Sequence, residues 1–426
     1  MHSMPFLKSF AFPAIFLLMG LAACQQHAPE PKASGTRLST GHWRMVLDVD
    51  STSSRLDLPF QFDLDKDATG WLITIHNQDE AIVVDSIAIR GDSIRVRMPF
   101  FDSEFRGTIQ DTGHFSGLWY NRYKGPGYAI PFSATLGASP RFIHGSSQAG
   151  IDISGDWEVH FIDSAEIEPA IGIFTVDNGH VKGSFATETG DLRYLEGITT
   201  RDSLFLSSFN GSQAFLFRAA IRNDSLVGEF RSGHRWKQPW YGVRNPSFAL
   251  ANDETLTQLD PSKPVAFTFP DTRGIQHSLA DEQYRGKAVV VEIMGTWCPN
   301  CMDQSRMLGE LYGKYHKDGL EAVALSFERY PDTTQALAAI RHFKERLGIE
   351  YELLYAGLAT RDTVQQKLPF ISKLKSYPTT LLIGRDGTVR HIYTGIYGPG
   401  TGARYARFKE RMETAIVEML REQAVN

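Results

Sequence analysis

A Cys-x-x-Cys pair, set between a β-branched run and a helical pattern, constrains the fold of this chain of 426 residues more than any other feature. The run at residues 287–294 predicts a buried parallel strand, and the apolar spacing after the cysteines predicts a helix. Cys298 then begins the helix, and Cys301 lies one turn further along the same face. Because unpaired amides and the helix dipole favour a thiolate there, Cys298 is predicted to be a nucleophile and Cys301 a resolving thiol.

A proline further along the chain supports the same arrangement. Tyr377 and Pro378 precede the apolar residues 381–383, which indicate another buried strand. A proline that opens a central strand requires a special conformation, such as a cis peptide bond. A strand, a cysteine pair and a helix in this order are typical of a thioredoxin-like βαβ unit.

Residues 262–426 resemble a thiol–disulfide oxidoreductase of the TlpA-like branch of the thioredoxin superfamily. Besides the cysteine pair and the proline, the resemblance rests on Ala266-Phe267-Thr268-Phe269-Pro270-Asp271, Gly274, Leu279, Tyr284-Arg285-Gly286-Lys287, Gly384-Arg385-Asp386-Gly387 and the closing helix at residues 403–420. It implies an α/β thioredoxin-like domain that exchanges disulfides with partner proteins, commonly in the reducing direction. We expect neither a cofactor nor a metal. The resemblance also implies that Cys298 attacks, that Cys301 resolves and that Pro378 is a cis-proline beside them. Trp297 and Tyr377 are expected to contact the partner, and a packing role alone is the alternative for Trp297.

Glu292 is a further candidate for the catalytic site. It occupies the strand position at which thioredoxins carry a buried carboxylate beneath the active site. Burial there should raise its pKa and make it a proton acceptor for Cys301. The alternative is a carboxylate that reaches solvent or forms a structural pair.

Two other interpretations of the cysteine pair are less favoured. Zinc normally requires four ligands, and neither a second Cys-x-x-Cys motif nor a closely spaced histidine pair accompanies these cysteines. A structural disulfide between them would close a very short loop and stabilise the fold little.

The N-terminus predicts export and a lipid anchor. Lys8 precedes an apolar run at residues 10–21 that is too short to span a bilayer but suits a signal peptide. Leu21-Ala22-Ala23-Cys24 resembles the bacterial lipobox, which implies a signal peptide at residues 1–23 and lipidation of Cys24. An ordinary secretory signal with a coincidental cysteine is the alternative. Residues 24–38 have the composition of a flexible tether.

This anchor predicts a location in the cell envelope, facing the periplasm, with the outer membrane favoured over the inner one. That compartment tends to be oxidising, so a reducing Cys-x-x-Cys protein needs a membrane thiol reductant as a second partner. A net charge of −5 without a basic block argues against nucleic acid as a ligand.

The region between the tether and the cysteine domain is predicted to be all-β, in two repeats at residues 39–138 and 151–248. Short β-rich runs alternate with turn residues, and Gly41-His42-Trp43 is echoed by Gly155-Asp156-Trp157. Each repeat has room for about eight strands, as an antiparallel barrel or a sandwich. A spacer is the favoured role, and binding of a ligand or substrate protein is the alternative.

Two rival functions stay open. One is a surface ligand-binding lipoprotein that uses the thioredoxin-like unit only as a scaffold. The other is a thiol peroxidase, although residues 292–298 lack the Pro-x-x-x-Thr-x-x-Cys arrangement of the related peroxiredoxins.

Overall fold

A computed structural model describes residues 38–50, 56–137, 139–142, 150–163 and 166–423. The predicted signal peptide, the lipidated Cys24 and nearly all of the tether lie outside the described residues. Two antiparallel sheets, which we call module 1 (β1–β9) and module 2 (β10–β18), precede a C-terminal domain of strands and helices.

Module 1 is a sheet of nine antiparallel strands that is nearly closed. Strand β1 pairs with β2 on one side and with the last strand, β9, on the other. The sheet therefore ends at two edge strands, β4 and β5, which are not hydrogen-bonded to each other. The strands are β1 (Gly41–Asp48), β2 (Asp57–Lys66), β3 (Trp71–Asn77), β4 (Glu80–Val84), β5 (Ser86–Arg90), β6 (Ser93–Arg97), β7 (Ser103–Asp111), β8 (His114–Asn121) and β9 (Ala129–Leu136).

Module 2 repeats this plan and closes completely, because β11 pairs with β12 as well as with β10. Its strands are β10 (Gly155–Ile162), β11 (Ile167–Asp177), β12 (His180–Thr187), β13 (Gly190–Asp191), β14 (Leu195–Thr199), β15 (Ser203–Phe209), β16 (Ala214–Arg222), β17 (Ser225–Ser232) and β18 (Trp236–Arg244). Of the two predicted architectures, the barrel is therefore the one formed.

The repeated Gly-x-Trp motif has the same structural role in both modules. Trp43 and Trp157 are each 1% exposed, inside the core of their own sheet. Each indole nitrogen donates to a carbonyl four residues earlier, that of Ser39 at 3.1 Å and that of Ile153 at 2.8 Å. A buried tryptophan needs such an acceptor, so the repeat preserves the partner together with the ring.

The C-terminal domain is built on a mixed sheet in the order β24-β23-β22-β26-β27. Its elements are β19 (Gln258–Leu259), β20 (Thr268–Pro270), β21 (Gln276–Ser278), β22 (Ala288–Met294), α1 (Pro299–Tyr315), β23 (Leu320–Glu328), α2 (Thr333–Leu347), β24 (Glu352–Leu358), α3 (Arg361–Lys367), β25 (Ile371–Lys373), β26 (Thr379–Ile383), β27 (Val389–Thr394) and α4 (Ala403–Arg421). Strands β22, β23 and β24 are parallel, whereas β26 runs antiparallel to β22. All seven residues of β22 are buried, as expected for a parallel strand covered on both faces.

Short 3₁₀ helices complete the structure, at Arg122–Lys124, Asp253–Thr255, Glu282–Tyr284, His316–Asp318 and Pro399–Thr401. Among the helices of the described residues, none combines the length and the apolar character needed to cross a membrane.

The modules pack against each other and against the C-terminal domain. Phe209 of module 2 stacks on Phe60 of module 1, with ring centroids 4.5 Å apart. Phe101 of module 1 belongs to the same buried cluster as Cys298 and Cys301. The three parts therefore share apolar contacts instead of standing apart on linkers.

Phe217 lies at the centre of the module 2 core, stacked between Phe185 and Phe230 with centroids 4.5 Å and 4.4 Å away. Phe217→Ala should lower the free energy of unfolding by about 3–5 kcal/mol, because the lost contacts leave a cavity. Urea unfolding followed by circular dichroism measures this. Val227→Ala, at a side chain 54% exposed on β17, is the control. Equal stability of the two variants would contradict the core assignment.

Candidate redox site

The two cysteines lie in the first turn of α1, directly after the buried strand β22. Cys298 is the N-cap residue, with Pro299 in the first helical position. The amide of Cys301 donates to Cys298 Sγ at 3.4 Å. Both cysteines are free thiols; Cys298 is 8% exposed and Cys301 is completely buried. The helix start thus presents one sulfur towards the surface and holds the other beneath it.

The surroundings move the pKa values of the two thiols in opposite directions. A hydrogen bond from the Cys301 thiol lowers the pKa of Cys298, and the backbone amides of Cys301 and Asn300 add to this effect. Burial raises the pKa of Cys301, and the hydrogen bond to Cys298 raises it further. Cys298 is therefore the more acidic thiol of the pair and Cys301 the less acidic one.

Pro378 lies beside the cysteines, and the Tyr377–Pro378 peptide bond is cis, the conformation that the sequence predicts. The Cys298 thiol donates to the Tyr377 carbonyl oxygen at a sulfur–oxygen distance of 3.6 Å. Pro378 directly precedes β26, which pairs with β22, so the sheet itself holds this segment next to the cysteines.

Trp297 is half-buried in a small aromatic and cationic cluster. Its indole nitrogen donates to the Phe327 carbonyl at 2.9 Å, and its ring meets Tyr377 edge-on at 5.5 Å. The Arg329 guanidinium carbon lies 3.7 Å from the Trp297 ring centroid, a cation–π contact. Its positive charge also contributes to the lowered pKa of Cys298.

Arg329 was not predicted from the sequence, although a signal for it exists. It directly follows β23, which is parallel to β22. The carboxyl ends of adjacent parallel strands meet at one edge of a sheet, the edge that carries the cysteines.

Glu292 is completely buried below the cysteines, on β22. Ser305 Oγ donates to both of its carboxylate oxygens at 3.0 Å, and the Tyr351 hydroxyl lies 3.3 Å from one of them. Burial raises the pKa of Glu292 to about 8. The negative charge of ionised Glu292 in turn contributes to the raised pKa of Cys301. The two groups therefore influence each other's ionisation electrostatically.

A second buried carboxylate fixes the loop before the cysteines. Glu328 accepts hydrogen bonds from the Thr296 amide at 3.0 Å and the Thr296 hydroxyl at 2.7 Å. Ser326 Oγ donates to it at 2.6 Å. Burial raises the pKa of Glu328. These bonds tie the approach to α1 to the end of β23.

Module 2 contacts the cysteine motif itself. Ser212 Oγ donates to the Trp297 carbonyl at 3.4 Å, and Asn300 Nδ2 donates to the Asp191 carbonyl at 3.2 Å. Arg193 Nη1 donates to the Pro299 carbonyl at 3.2 Å. Module 2 therefore hydrogen-bonds residues on both sides of Cys298.

Arg193 also joins all three parts of the chain through buried charges. It is 1% exposed and forms ion pairs with Asp303 on α1 and with Glu80 of module 1. Burial raises the pKa of Asp303 to about 6, and the charge of Arg193 opposes that effect. Removing one partner of such a buried pair typically costs about 3–5 kcal/mol. No sequence pattern marks Arg193 for this role, because its partners are distant in the chain.

Comparison with known proteins agrees with this geometry. The AhpC/TSA family matches residues 262–392. The matched residues lie within the C-terminal domain described above. Thiol-disulfide oxidoreductase ResA of Geobacillus kaustophilus is 32% identical over 129 residues, which are 30% of this chain and 66% of that relative. ResA of Bacillus subtilis is 27% identical over 155 residues, 36% of this chain and 76% of that relative.

These ResA proteins are homologues of the C-terminal domain, and the chain spans just under two thirds of the length of the Geobacillus relative. A solved thiol:disulfide interchange protein, a thioredoxin family protein from Chlorobium tepidum, is 18% identical with a TM-score of 0.28, covering 38% of this chain and 99% of that one. The predicted thioredoxin-like domain after two β-rich repeats is confirmed.

The titration of Glu292 predicts a pH dependence of stability. The folded protein keeps the Glu292 proton up to about pH 8, whereas the unfolded chain loses it near pH 4.5. The free energy of unfolding should therefore fall with rising pH across this window, by about 1.4 kcal/mol per unit from this group alone. Glu292→Gln should lack that contribution. Urea titrations of both proteins between these pH values measure the difference, and parallel curves would contradict the buried, neutral carboxyl.

Proposed function

We propose that this chain is a thiol–disulfide oxidoreductase that reduces disulfides in partner proteins outside the cytoplasm. The observation that carries the proposal is the arrangement at the start of α1: Cys298 with a lowered pKa at the N-cap, and Cys301 with a raised pKa one turn away. A two-step exchange requires a first thiol that ionises more readily and a second thiol that keeps its proton until the mixed disulfide has formed. The homology to ResA proteins supports the same activity.

The reaction runs in two displacements. The Cys298 thiolate attacks one sulfur of the partner's disulfide and bonds to it, while the other partner sulfur leaves as a thiolate and takes a proton from water. Cys301 then gives up its proton and attacks the Cys298 sulfur. The Cys298–Cys301 disulfide forms and the second partner thiolate is released, so two electrons pass from this protein to the partner.

Glu292 is proposed to receive the proton that Cys301 loses. A carboxyl with a pKa of about 8 can both accept and return a proton near neutral pH. The cis-proline segment is proposed to align the incoming chain, because the Tyr377 carbonyl and the Cys298 sulfur already face each other. Trp297 and Tyr377 would border that chain on one side.

The cellular setting is part of the proposal. Lipidation of Cys24 would anchor the protein to a membrane, the outer one in preference to the inner, with the redox domain facing the periplasm. In an oxidising compartment the Cys298–Cys301 disulfide must be reduced again, so a membrane thiol reductant is the proposed second partner.

Cys301→Ala should trap partners, because the second displacement cannot occur and the mixed disulfide at Cys298 persists. Non-reducing electrophoresis of envelope extracts, with mass identification of the linked chains, detects the trapped species. Cys298→Ala is the control and should capture none. Failure of Cys301→Ala to form a mixed disulfide, even with a small disulfide such as hydroxyethyl disulfide, would contradict the cycle.

Glu292→Gln should slow resolution of that mixed disulfide by about 100-fold near neutral pH, the range expected for loss of a general base. Stopped-flow release of the second thiol measures the step. A rate equal to the parent's from pH 6 to 9 would remove the proposed role.

Consumption of hydrogen peroxide by the parent faster than reduction of disulfides would favour the thiol peroxidase alternative.

A further inference from the structure

We propose that module 2 is a cap that sets the substrate range of the redox site, so that small disulfides and extended chain segments reach Cys298 whereas folded proteins are excluded. Arg193 is the positioning residue that holds this cap closed. The inference rests on the proposed function and names its substrate class.

The segment of module 2 between β12 and β14, at residues 188–194, lies against the start of α1 and the loop after β27. Besides the contacts with Pro299 and Asn300, the Gly398 amide donates to the Asp191 carboxylate at 2.7 Å. Lys375, two residues before Tyr377, pairs with Glu188 at 3.6 Å. The cap therefore touches α1, the segment before the cis-proline and the loop that follows the last strand of the sheet.

Two glycines show how closely the backbones approach. Gly190 has φ +133°, and a Cβ there would lie 2.2 Å from Asn300 Nδ2. Gly395 has φ +74°, and a Cβ there would lie 2.7 Å from the Thr189 carbonyl carbon. At Gly395 the two surfaces meet main chain to main chain, and at Gly190 the backbone of the cap meets the Asn300 side chain, so no folded partner fits between them.

Exposure of the nucleophile agrees with this closure. Cys298 is only 8% exposed, although it is the sulfur that must attack an external disulfide. A folded protein needs a broad surface around the sulfur, and residues on both sides of it are already hydrogen-bonded to module 2.

A cleft on the module 1 side, which Cys298 itself does not line, is the proposed route for a slender substrate. It has a volume of about 900 Å³, and Thr296, two residues before Cys298, forms part of its wall. Phe100, Phe101 and Tyr123 of module 1 supply apolar lining. A space of this size accommodates a small ligand or a short extended segment, not a domain.

The test compares access by size. The reduced full-length protein is treated with N-ethylmaleimide or with a maleimide attached to a long polyethylene glycol chain, and labelling of Cys298 is timed by peptide mass. Relative to a free cysteine peptide, the parent should discriminate against the large reagent. In Arg193→Met the ratio of the small-reagent rate to the large-reagent rate at Cys298 should fall by about tenfold. The large reagent reacts only when the cap is displaced from the cysteine motif, so its rate follows the population of that open state.

Arg244→Met is the matched control, since this arginine belongs to the same module but donates to the Ser154 carbonyl at 2.7 Å. It should behave as the parent does. Reduction of insulin, measured against reduction of hydroxyethyl disulfide, should rise in Arg193→Met and stay unchanged in Arg244→Met. If circular dichroism shows that Arg193→Met does not fold, the comparison of the parent with the free peptide decides alone.

The outcomes separate the two proposals. A parent that reacts with both maleimides in the ratio shown by the free peptide overturns the cap, and so does a folded Arg193→Met with the parent's ratio. Labelling of Cys298 without any reduction of hydroxyethyl disulfide overturns the proposed function and leaves the cap standing.

Discussion

The proposed thiol–disulfide chemistry depends on the first turn of α1. Helix starts have amides without intrahelical partners, and here the Cys298 sulfur accepts from one of them. The same turn places Cys301 one step deeper, in a fully buried position where the charged form is disfavoured. One short piece of backbone thus produces two thiols with opposite pKa shifts, which is the condition for an ordered exchange.

The rest of the C-terminal domain serves to hold that turn in place. Strand β22 delivers the chain to it, and Glu328 binds Thr296 through two hydrogen bonds that fix the connecting loop. Strand β26 brings Pro378 alongside because it pairs with β22. These contacts come from buried backbone and buried polar groups, so the geometry of the two sulfurs does not depend on mobile surface residues.

Much of this arrangement could be predicted from local sequence. The strand, the helix start and the cis-proline follow from patterns of a few neighbouring residues, and the Gly-x-Trp repeat revealed two modules of one kind. Glu292 was indicated by the resemblance to thioredoxins, which carry a buried carboxylate at this strand position. Such inferences succeed because periodicity and helix capping act over short distances.

The contacts between modules could not be predicted in the same way. Arg193, Asp303 and Glu80 are brought together only by the packing of three bodies, and each residue looks ordinary in its own segment. The sequence favoured a spacer role for the β region, whereas module 2 hydrogen-bonds the cysteine motif directly. Contacts of this kind join residues that are distant in the chain, and patterns within a single sequence do not reveal them.

The most direct test of the account is an equilibrium titration of the reduced protein in mixtures of reduced and oxidised dithiothreitol, with the thiol state read by alkylation and mass. We expect one reversible transition in which the Cys298 and Cys301 thiols are lost and regained together, with a slope of about 30 mV per tenfold change in the oxidised-to-reduced ratio, as for a two-electron couple. Independent loss of the two thiols, or oxidation that dithiothreitol cannot reverse, would contradict it.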